Sequence, residues 1–297
     1  SALFILVGFA VPYLFGFSFR DSLVVGAAMM FSSTIIGIKL LPTTVLHHRH
    51  IGELMIGLLL LQDLLAIIVL MVLFSAAEGS PGGMWRDLAL SLLSLPLLVG
   101  GALLIVRYLL LPLITRFDRF HEYIFLLAIG WCLGVAETAA ALGLSAEIGA
   151  FIAGITIATS PISQYIAVNL KPLRDFFLIL FFFSVGARFD FAVLGQVFAP
   201  ALLLSALVLA FKPVVYRFLL KGVSEKRILA WDLGFRLGQA SEFSLLIAYV
   251  AIGSALISEQ ASLLIQATTI ITLVVSSYIV VLKYPNPIAI SDKLRRD

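Results

Sequence analysis

The feature of this sequence that most limits its fold is a succession of long apolar stretches with few polar residues between them. These stretches cover residues 2–17, 20–41, 51–76, 86–111, 121–141, 145–160, 170–187, 194–220, 227–253 and 259–282. A helix that spans the hydrocarbon core needs about 20 apolar residues, whereas a strand of a membrane barrel needs about ten with alternating polarity. The stretches therefore predict an all-α polytopic membrane protein with about ten transmembrane helices.

Composition supports this class and excludes several others. Of 297 residues, 61% are apolar and 12% are charged, which excludes an ordinary soluble enzyme and a disordered chain. The net charge of +3 comes with no long basic run, so we expect no nucleic-acid partner. The single cysteine, Cys132, predicts neither a disulfide framework nor a thiolate metal site. We expect no cofactor and no catalytic residue. Because the chain opens at Ser1 inside an apolar run, we also expect it to be part of a longer protein.

The distribution of lysine and arginine predicts the orientation. The connections after even-numbered helices and the C-terminal tail carry 13 of these residues, whereas the odd-numbered connections carry three. The positive-inside rule therefore places the even connections and the C-terminus in the cytoplasm. We expect an integral protein of a bacterial inner membrane.

A carboxylate in the middle of the third stretch, Asp63, is the strongest candidate for function. A charge at the bilayer centre costs roughly 2.5–3.5 kcal/mol, so an intramembrane acid suggests an ion route. Asp63 can bind a proton or a metal cation, one replacing the other; the alternative is a structural hydrogen bond to another helix. Its neighbour Gln62 supplies a neutral oxygen to the same cation or bonds a neighbouring helix.

Two basic residues lie deep in later stretches. Lys212 is the expected partner of Asp63, in a salt bridge that breaks when the cation arrives, unless it only neutralises Asp63 structurally. Arg236 stands four residues after Asp232, and this spacing indicates a structural ion pair on one helix.

Two polar strings interrupt the second and ninth stretches. The candidate cation ligands in them are Ser32, Ser33, Thr34, Gln239, Ser241 and Glu242. Small and hydroxyl residues at these points predict unwound helices whose carbonyls face an ion, in two triplets of helices with inverted topology. The alternative is that these hydroxyls bond back to the carbonyls of continuous helices.

Six strings in a fixed order carry a resemblance to a known family. They are Ser32-Ser33-Thr34, Gln62-Asp63, Gly149–Gly154, Phe181–Gly186, the intramembrane Lys212 and Gly238–Phe243. In this order they resemble the monovalent cation/proton antiporter superfamily, and Gln62-Asp63 with Gly238–Phe243 are most similar to the Kef-type potassium/proton antiporters.

The resemblance implies a fold in which residues 20–41 and 227–253 form two crossing interrupted helices. It implies that Asp63 is where a transported monovalent cation and a proton compete, that Lys212 lies near this carboxylate, and that the protein is a homodimer in the lipid bilayer. A transmembrane domain over 1–285 would contain an ion-carrying core, 1–76 with 194–282, and a scaffold, 86–187, followed by a cytoplasmic tail, 286–297. The sequence has no second acidic residue beside Asp63, as the resemblance implies for those members of the superfamily that have Gln-Asp at this place.

The predicted function is therefore a secondary transporter, not an enzyme, that exchanges protons for K+ or Na+ by alternating access. A gated K+ efflux pathway and a non-transporting membrane subunit are the alternatives. The cluster of His47, His48 and His50 suits a solvated loop better than a zinc site or pH sensor. Glu137 and Glu147, on either side of Leu142-Gly143, are expected to be interfacial carboxylates.

Overall fold

A computed structural model describes residues 2–34, 37, 50–77, 84–116, 121–158, 160, 162–187, 191–222 and 227–284. Within these ranges all regular secondary structure is helical. The helices are α1 (Ala2–Leu14), α2 (Phe19–Met29), α3 (His50–Ala77), α4 (Met84–Ile105), α5 (Leu111–Arg116), α6 (His121–Ala141), α7 (Ala146–Ala158), α8 (Ser163–Ala187), α9 (Phe191–Gly222), α10 (Arg227–Arg236), α11 (Glu242–Gly253) and α12 (Glu259–Lys283). One π-helical turn, Val106–Leu110, joins α4 to α5. The predicted helical class is confirmed.

Five segments of the described residues are long and apolar enough to cross a membrane. They are Met55–Leu73, Leu93–Arg116, Glu122–Ala141, Gly195–Lys221 and Glu259–Lys283. Three shorter apolar helices, α1, α7 and α11, accompany them. The count of ten crossings and the inverted repeat stay predictions. His47 and His48 lie outside the described residues.

The predicted boundary at Leu142-Gly143 is confirmed. Helix α6 ends at Ala141, and Gly143 has φ +76°, a left-handed conformation that favours glycine. Helix α7 then starts at Ala146, and Ser145 Oγ accepts a hydrogen bond from the Ile148 amide at 3.3 Å. Glu137 and Glu147, near this turn, are both exposed.

The chain divides into two compact units, one formed by Ser1–Val69 with Asp190–Asp297 and the other by Leu70–Phe189. In the second unit, α6 and α7 approach closely at Gly149, where a Cβ atom would lie 2.6 Å from Ala136 Cα. This contact explains why the Gly149–Gly154 string begins with glycine. The roles of ion-carrying core and scaffold stay predictions.

In the first unit, α1 and α2 pack as closely, because a Cβ at Gly8 would lie 2.8 Å from Gly26 Cα. Apolar side chains from α1, α3, α9 and α10, with one from the chain after α10, form a buried cluster beside the site described next. Its members are Phe4, Met55, Leu59, Tyr216, Leu220, Ala230, Leu233 and Leu237.

Candidate ion-binding site

The chain leaves the helical conformation at both predicted interruptions. Helix α2 ends at Met29, residues 31–33 are not helical, and Thr34 is helical again. Helix α10 ends at Arg236, and α11 starts at Glu242 after a non-helical stretch. We call residues 30–33 the first break and residues 237–241 the second break. The alternative of two continuous helices is therefore wrong.

The ammonium of Lys212 joins the two breaks. Its Nζ donates to the carbonyl oxygen of Phe31 at 2.5 Å and to that of Gln239 at 2.9 Å. A third, longer contact reaches Ser32 Oγ at 3.4 Å. Lys212 is 1% exposed, so its charge is stabilised by these oxygens rather than by solvent. An ammonium has three donors, and here each of them has an oxygen partner.

The expected salt bridge between Lys212 and Asp63 is not formed. Neither residue forms an ion pair with a described residue, whereas Arg174 pairs with Asp175 and Arg236 pairs with Asp232. The two breaks present carbonyl oxygens without helical partners, and these oxygens satisfy Lys212 instead of the carboxylate. The predicted structural pair on α10 is confirmed, with Arg236 Nε 2.7 Å from Asp232 Oδ1.

The first break is held by side chains from other helices. The Ser32 amide donates to Gln62 Oε1 at 3.0 Å, and Gln62 Nε2 donates to the hydroxyl of Tyr216. Ser32 Oγ donates to the Leu237 carbonyl in the second break at 2.7 Å. Gln62 therefore ties the helix that carries Asp63 to the first break.

Hydroxyls of α12 also hold the second break. The Ala240 amide donates to Thr272 Oγ1 at 3.1 Å. Ser276 Oγ lies 3.0 Å from the Phe235 carbonyl and 2.9 Å from Gln239 Oε1. Helix α12 thus forms hydrogen bonds with the backbone of this break, at Ala240, and with one of its side chains, Gln239.

The start of α11 is capped by its own sequence. Ser241 Oγ accepts from the Phe243 amide at 3.2 Å, and Ser244 Oγ accepts from the Ser241 amide at 3.2 Å. Ser244 Oγ also donates to the Ala28 carbonyl near the end of α2 at 2.6 Å. The predicted ligand Ser241 is therefore a helix cap here.

Asp63 is half-buried in the middle of a helix long and apolar enough to cross a membrane, and it has no hydrogen-bond or ion-pair partner among the described residues. This excludes, for the same residues, the alternative of a structural hydrogen bond to another helix. Its electrostatic neighbour is the carboxylate of Glu242, the first residue of α11. No second acid stands beside Asp63 in the sequence, but the fold supplies one from the other end of the chain.

The other predicted ligands fall in the same unit. Ser33 is buried, and its carbonyl accepts from the Gly37 amide at 3.3 Å. Thr34 Oγ1 is buried with no hydrogen-bond partner among the described residues, and the same is true of Gln239 Nε2. All nine predicted site residues thus lie in the unit that contains both breaks.

Sequence reasoning missed four residues that organise the site, namely Tyr216, Ser244, Thr272 and Ser276. For Tyr216 a signal was present, since it follows Lys212 by four residues and therefore lies on the same helix face. The hydroxyl residues of α12 carry no such signal, because serine and threonine are frequent in transmembrane helices.

Residues 1–282 match the family described as "Sodium/hydrogen exchanger, transmembrane". The chain belongs to this family. The match covers both breaks, Asp63 and Lys212, so the resemblance drawn from the six strings is confirmed at the level of the cation/proton antiporter superfamily. These residues therefore belong to a family of integral membrane transporters, which are not enzymes.

The chain is also similar to named relatives along most of its length. The chain is 31% identical over 89% of its length to the "Iron transporter MagA" of Paramagnetospirillum magneticum. It is 29% identical over 92% of its length to "K(+) efflux antiporter 4" of Arabidopsis thaliana. It is 27% identical over 91% of its length to "Putative cation/proton antiporter YbaL" of Escherichia coli. The chain spans 60%, 47% and 50% of these three relatives, respectively.

Proposed function

We propose that this chain exchanges protons for a monovalent cation, K+ or Na+, and that proton and cation compete for Asp63. The observation that carries the proposal is the state of this carboxylate. Asp63 lies in the middle of a segment long and apolar enough to cross a membrane, half-buried and without a polar partner among the described residues, while its neighbour Gln62 is bonded to the first break. A carboxylate held there without a counter-ion is suited to bind a small cation or a proton.

The neutral ligands of the cation are expected from groups that keep a free oxygen lone pair. Gln62 Oε1 accepts one hydrogen bond from Ser32 and, as a carbonyl oxygen, has a second lone pair. Thr34 Oγ1, without a partner among the described residues, is a further donor atom, and Glu242 adds negative charge. Oxygen atoms of this kind can replace the water molecules around an alkali cation.

Lys212 has a different role from the one expected. Its Nζ stays on the carbonyl oxygens of Phe31 and Gln239, where it holds the two breaks together. We propose that Lys212 has a structural role, as a positive charge that attracts the carbonyl oxygens of both breaks. It would then not form a salt bridge that opens in each transport cycle.

The coupling of proton movement to cation movement follows from competition at one carboxylate. Proton binding neutralises Asp63 and releases the cation, and deprotonation restores the cation site, with access alternating between the two sides of the membrane. Potassium is the favoured cation, because the Arabidopsis relative is named as a K(+) efflux antiporter. A homodimer in a bacterial inner membrane, with the C-terminus in the cytoplasm, completes the proposal.

The test is exchange in proteoliposomes with an internal pH indicator and an imposed K+ or Na+ gradient. Asp63→Asn is expected to abolish cation-driven proton movement, because an amide cannot exchange a proton for a cation. Asp175→Asn, which removes a carboxylate beside Arg174, is the matched control and should retain wild-type exchange. Undiminished exchange in Asp63→Asn would overturn the assignment.

The pH profile and the ion coupling test the remaining alternatives. Exchange should increase as the pH rises from about 6 to about 9, because protons then compete less with the cation for Asp63. A gated efflux pathway would instead carry K+ without moving protons. A non-transporting subunit would show no ion movement in wild-type liposomes.

A further inference from the structure

We infer that Tyr216 is the positioning residue that orients the Gln62 amide toward the transported cation. This inference rests on the proposed function, and it names a residue that neither the motif strings nor the family match singles out. Tyr216 is 2% exposed and belongs to α9, four residues after Lys212.

The hydrogen-bond directions around Tyr216 are determined by counting protons. The hydroxyl of Ser32 has one proton, and it points at the Leu237 carbonyl at 2.7 Å. In the 3.1 Å contact between Ser32 Oγ and Tyr216 Oη, the tyrosine must therefore be the donor. Its oxygen lone pairs are left to accept from Gln62 Nε2.

These directions leave one orientation for the Gln62 amide. Nε2 is bonded to Tyr216, and Oε1 is bonded to the Ser32 amide at 3.0 Å. The reversed amide would place an N–H2 group against the Ser32 N–H and an oxygen against Tyr216, whose single proton is already used. The tyrosine hydroxyl thus makes the amide oxygen, and not its nitrogen, the atom on the side of the first break.

An amide oxygen attracts a cation, and an amide N–H2 group repels it. Without the Tyr216 hydroxyl, Gln62 is held at one end only, by Ser32, and its oxygen spends part of the time turned from the first break. The cation then binds more weakly, while the proton chemistry of Asp63 is unchanged. The expected signature is a rise in the apparent KM for the cation with little change in kcat.

Tyr216→Phe tests this, because the aromatic ring, which packs against Phe4 within the buried cluster, is kept and only the hydroxyl is lost. We expect the KM for K+ to rise about three- to tenfold, the range that corresponds to one buried hydrogen bond, with kcat within about twofold of wild type. Tyr278→Phe is the matched control, since Tyr278 is 66% exposed on α12, and its KM should stay at the wild-type value.

A double-mutant cycle separates positioning from a general structural effect. In a Gln62→Leu background, Tyr216→Phe should change KM by less than about twofold, because the residue through which it acts is gone. The same three- to tenfold rise in that background would overturn the inference, as would an unchanged KM in Tyr216→Phe alone.

If Tyr216→Phe accumulates poorly, 3-fluorotyrosine at this position takes its place. Fluorine keeps the shape, weakens the hydroxyl oxygen as an acceptor and strengthens its proton as a donor, so KM should still rise; an unchanged KM overturns the inference. Wild-type protein is assayed in the same experiment. Active wild type with an unaltered variant contradicts the role of Tyr216 alone, whereas inactive wild type contradicts the proposed exchange and this inference with it.

Discussion

The two helix breaks occupy corresponding places in the predicted repeat, but they are held in different ways. The first break takes its hydrogen bonds from side chains distant in sequence, Gln62 on α3 and Lys212 on α9. The second break also bonds side chains distant in sequence, Lys212 and the hydroxyls of α12, but its last residue, Ser241, in addition forms a capping box with Ser244.

The two breaks therefore connect different parts of the chain. Because Gln62 adjoins Asp63, the hydrogen bond between the Ser32 amide and Gln62 ties the first break to the helix that carries the carboxylate. The second break leads into α11, whose first residue is Glu242 and whose start is capped by Ser241 and Ser244. Lys212 and Ser32 connect the two, since Lys212 Nζ bonds one carbonyl from each break and Ser32 Oγ reaches Leu237.

Replacing the shared lysine should have the largest effect, because it affects both breaks at once. Lys212→Met leaves the carbonyls of Phe31 and Gln239 buried without their charged donor, and we expect the unfolding free energy to fall by about 3–5 kcal/mol. Titration with SDS in mixed micelles measures this loss. Lys221→Met, on the exposed last turn of α9, is the control, and equal stability of the two variants would contradict the central role of Lys212.

The two glutamines provide the next test, since one belongs to each break. Gln62→Leu removes two hydrogen bonds and leaves the Ser32 amide without an acceptor, so it should cost about 2–3 kcal/mol of unfolding free energy. Gln239→Leu removes one bond and also a buried Nε2 that has no partner among the described residues, so it should cost less than about 1 kcal/mol. Equal losses of unfolding free energy in the two variants, measured by the same SDS titration, would contradict the difference between the two breaks.

The smallest effect is expected at the second break alone. Thr272→Val keeps the shape of the side chain and removes the acceptor of the Ala240 amide, which should cost about 1 kcal/mol while exchange is retained. Thr268→Val is the matched control on the same helix, because Thr268 Oγ1 is buried without a partner among the described residues. This control should be neutral or slightly stabilising. A loss of exchange in Thr272→Val would show that the second break also takes part in ion binding.

The sequence predicted the helical class, the boundary at Leu142-Gly143, the family and both breaks. These predictions succeeded because apolar length, a left-handed glycine and polar residues inside apolar helices act locally along the chain. The Asp232–Arg236 pair was predictable for the same reason, since four residues bring two side chains together on any helix.

The partners of the site residues were not predictable in this way. Lys212 was expected to bond Asp63, the nearest obvious opposite charge, but it bonds backbone carbonyls that become available only once two distant breaks meet. Ser32 and Ser241 were predicted to be cation ligands. In the structure Ser32 Oγ donates to the Leu237 carbonyl, and Ser241 Oγ accepts from the Phe243 amide at the start of α11. A hydroxyl or an ammonium bonds whichever acceptor the packing brings near, and residue type does not identify that acceptor.

What the sequence determined by itself was the chemistry available in the membrane: a carboxylate in mid-helix, a deep lysine and two places where a helix cannot continue smoothly. What only the tertiary structure decided was how these groups are paired. It left Asp63 without a polar partner among the described residues, brought Glu242 toward it, and used Lys212 to hold the breaks. The physical reason is that desolvation acts on each residue alone, whereas hydrogen bonds depend on distances that exist only after the helices have packed.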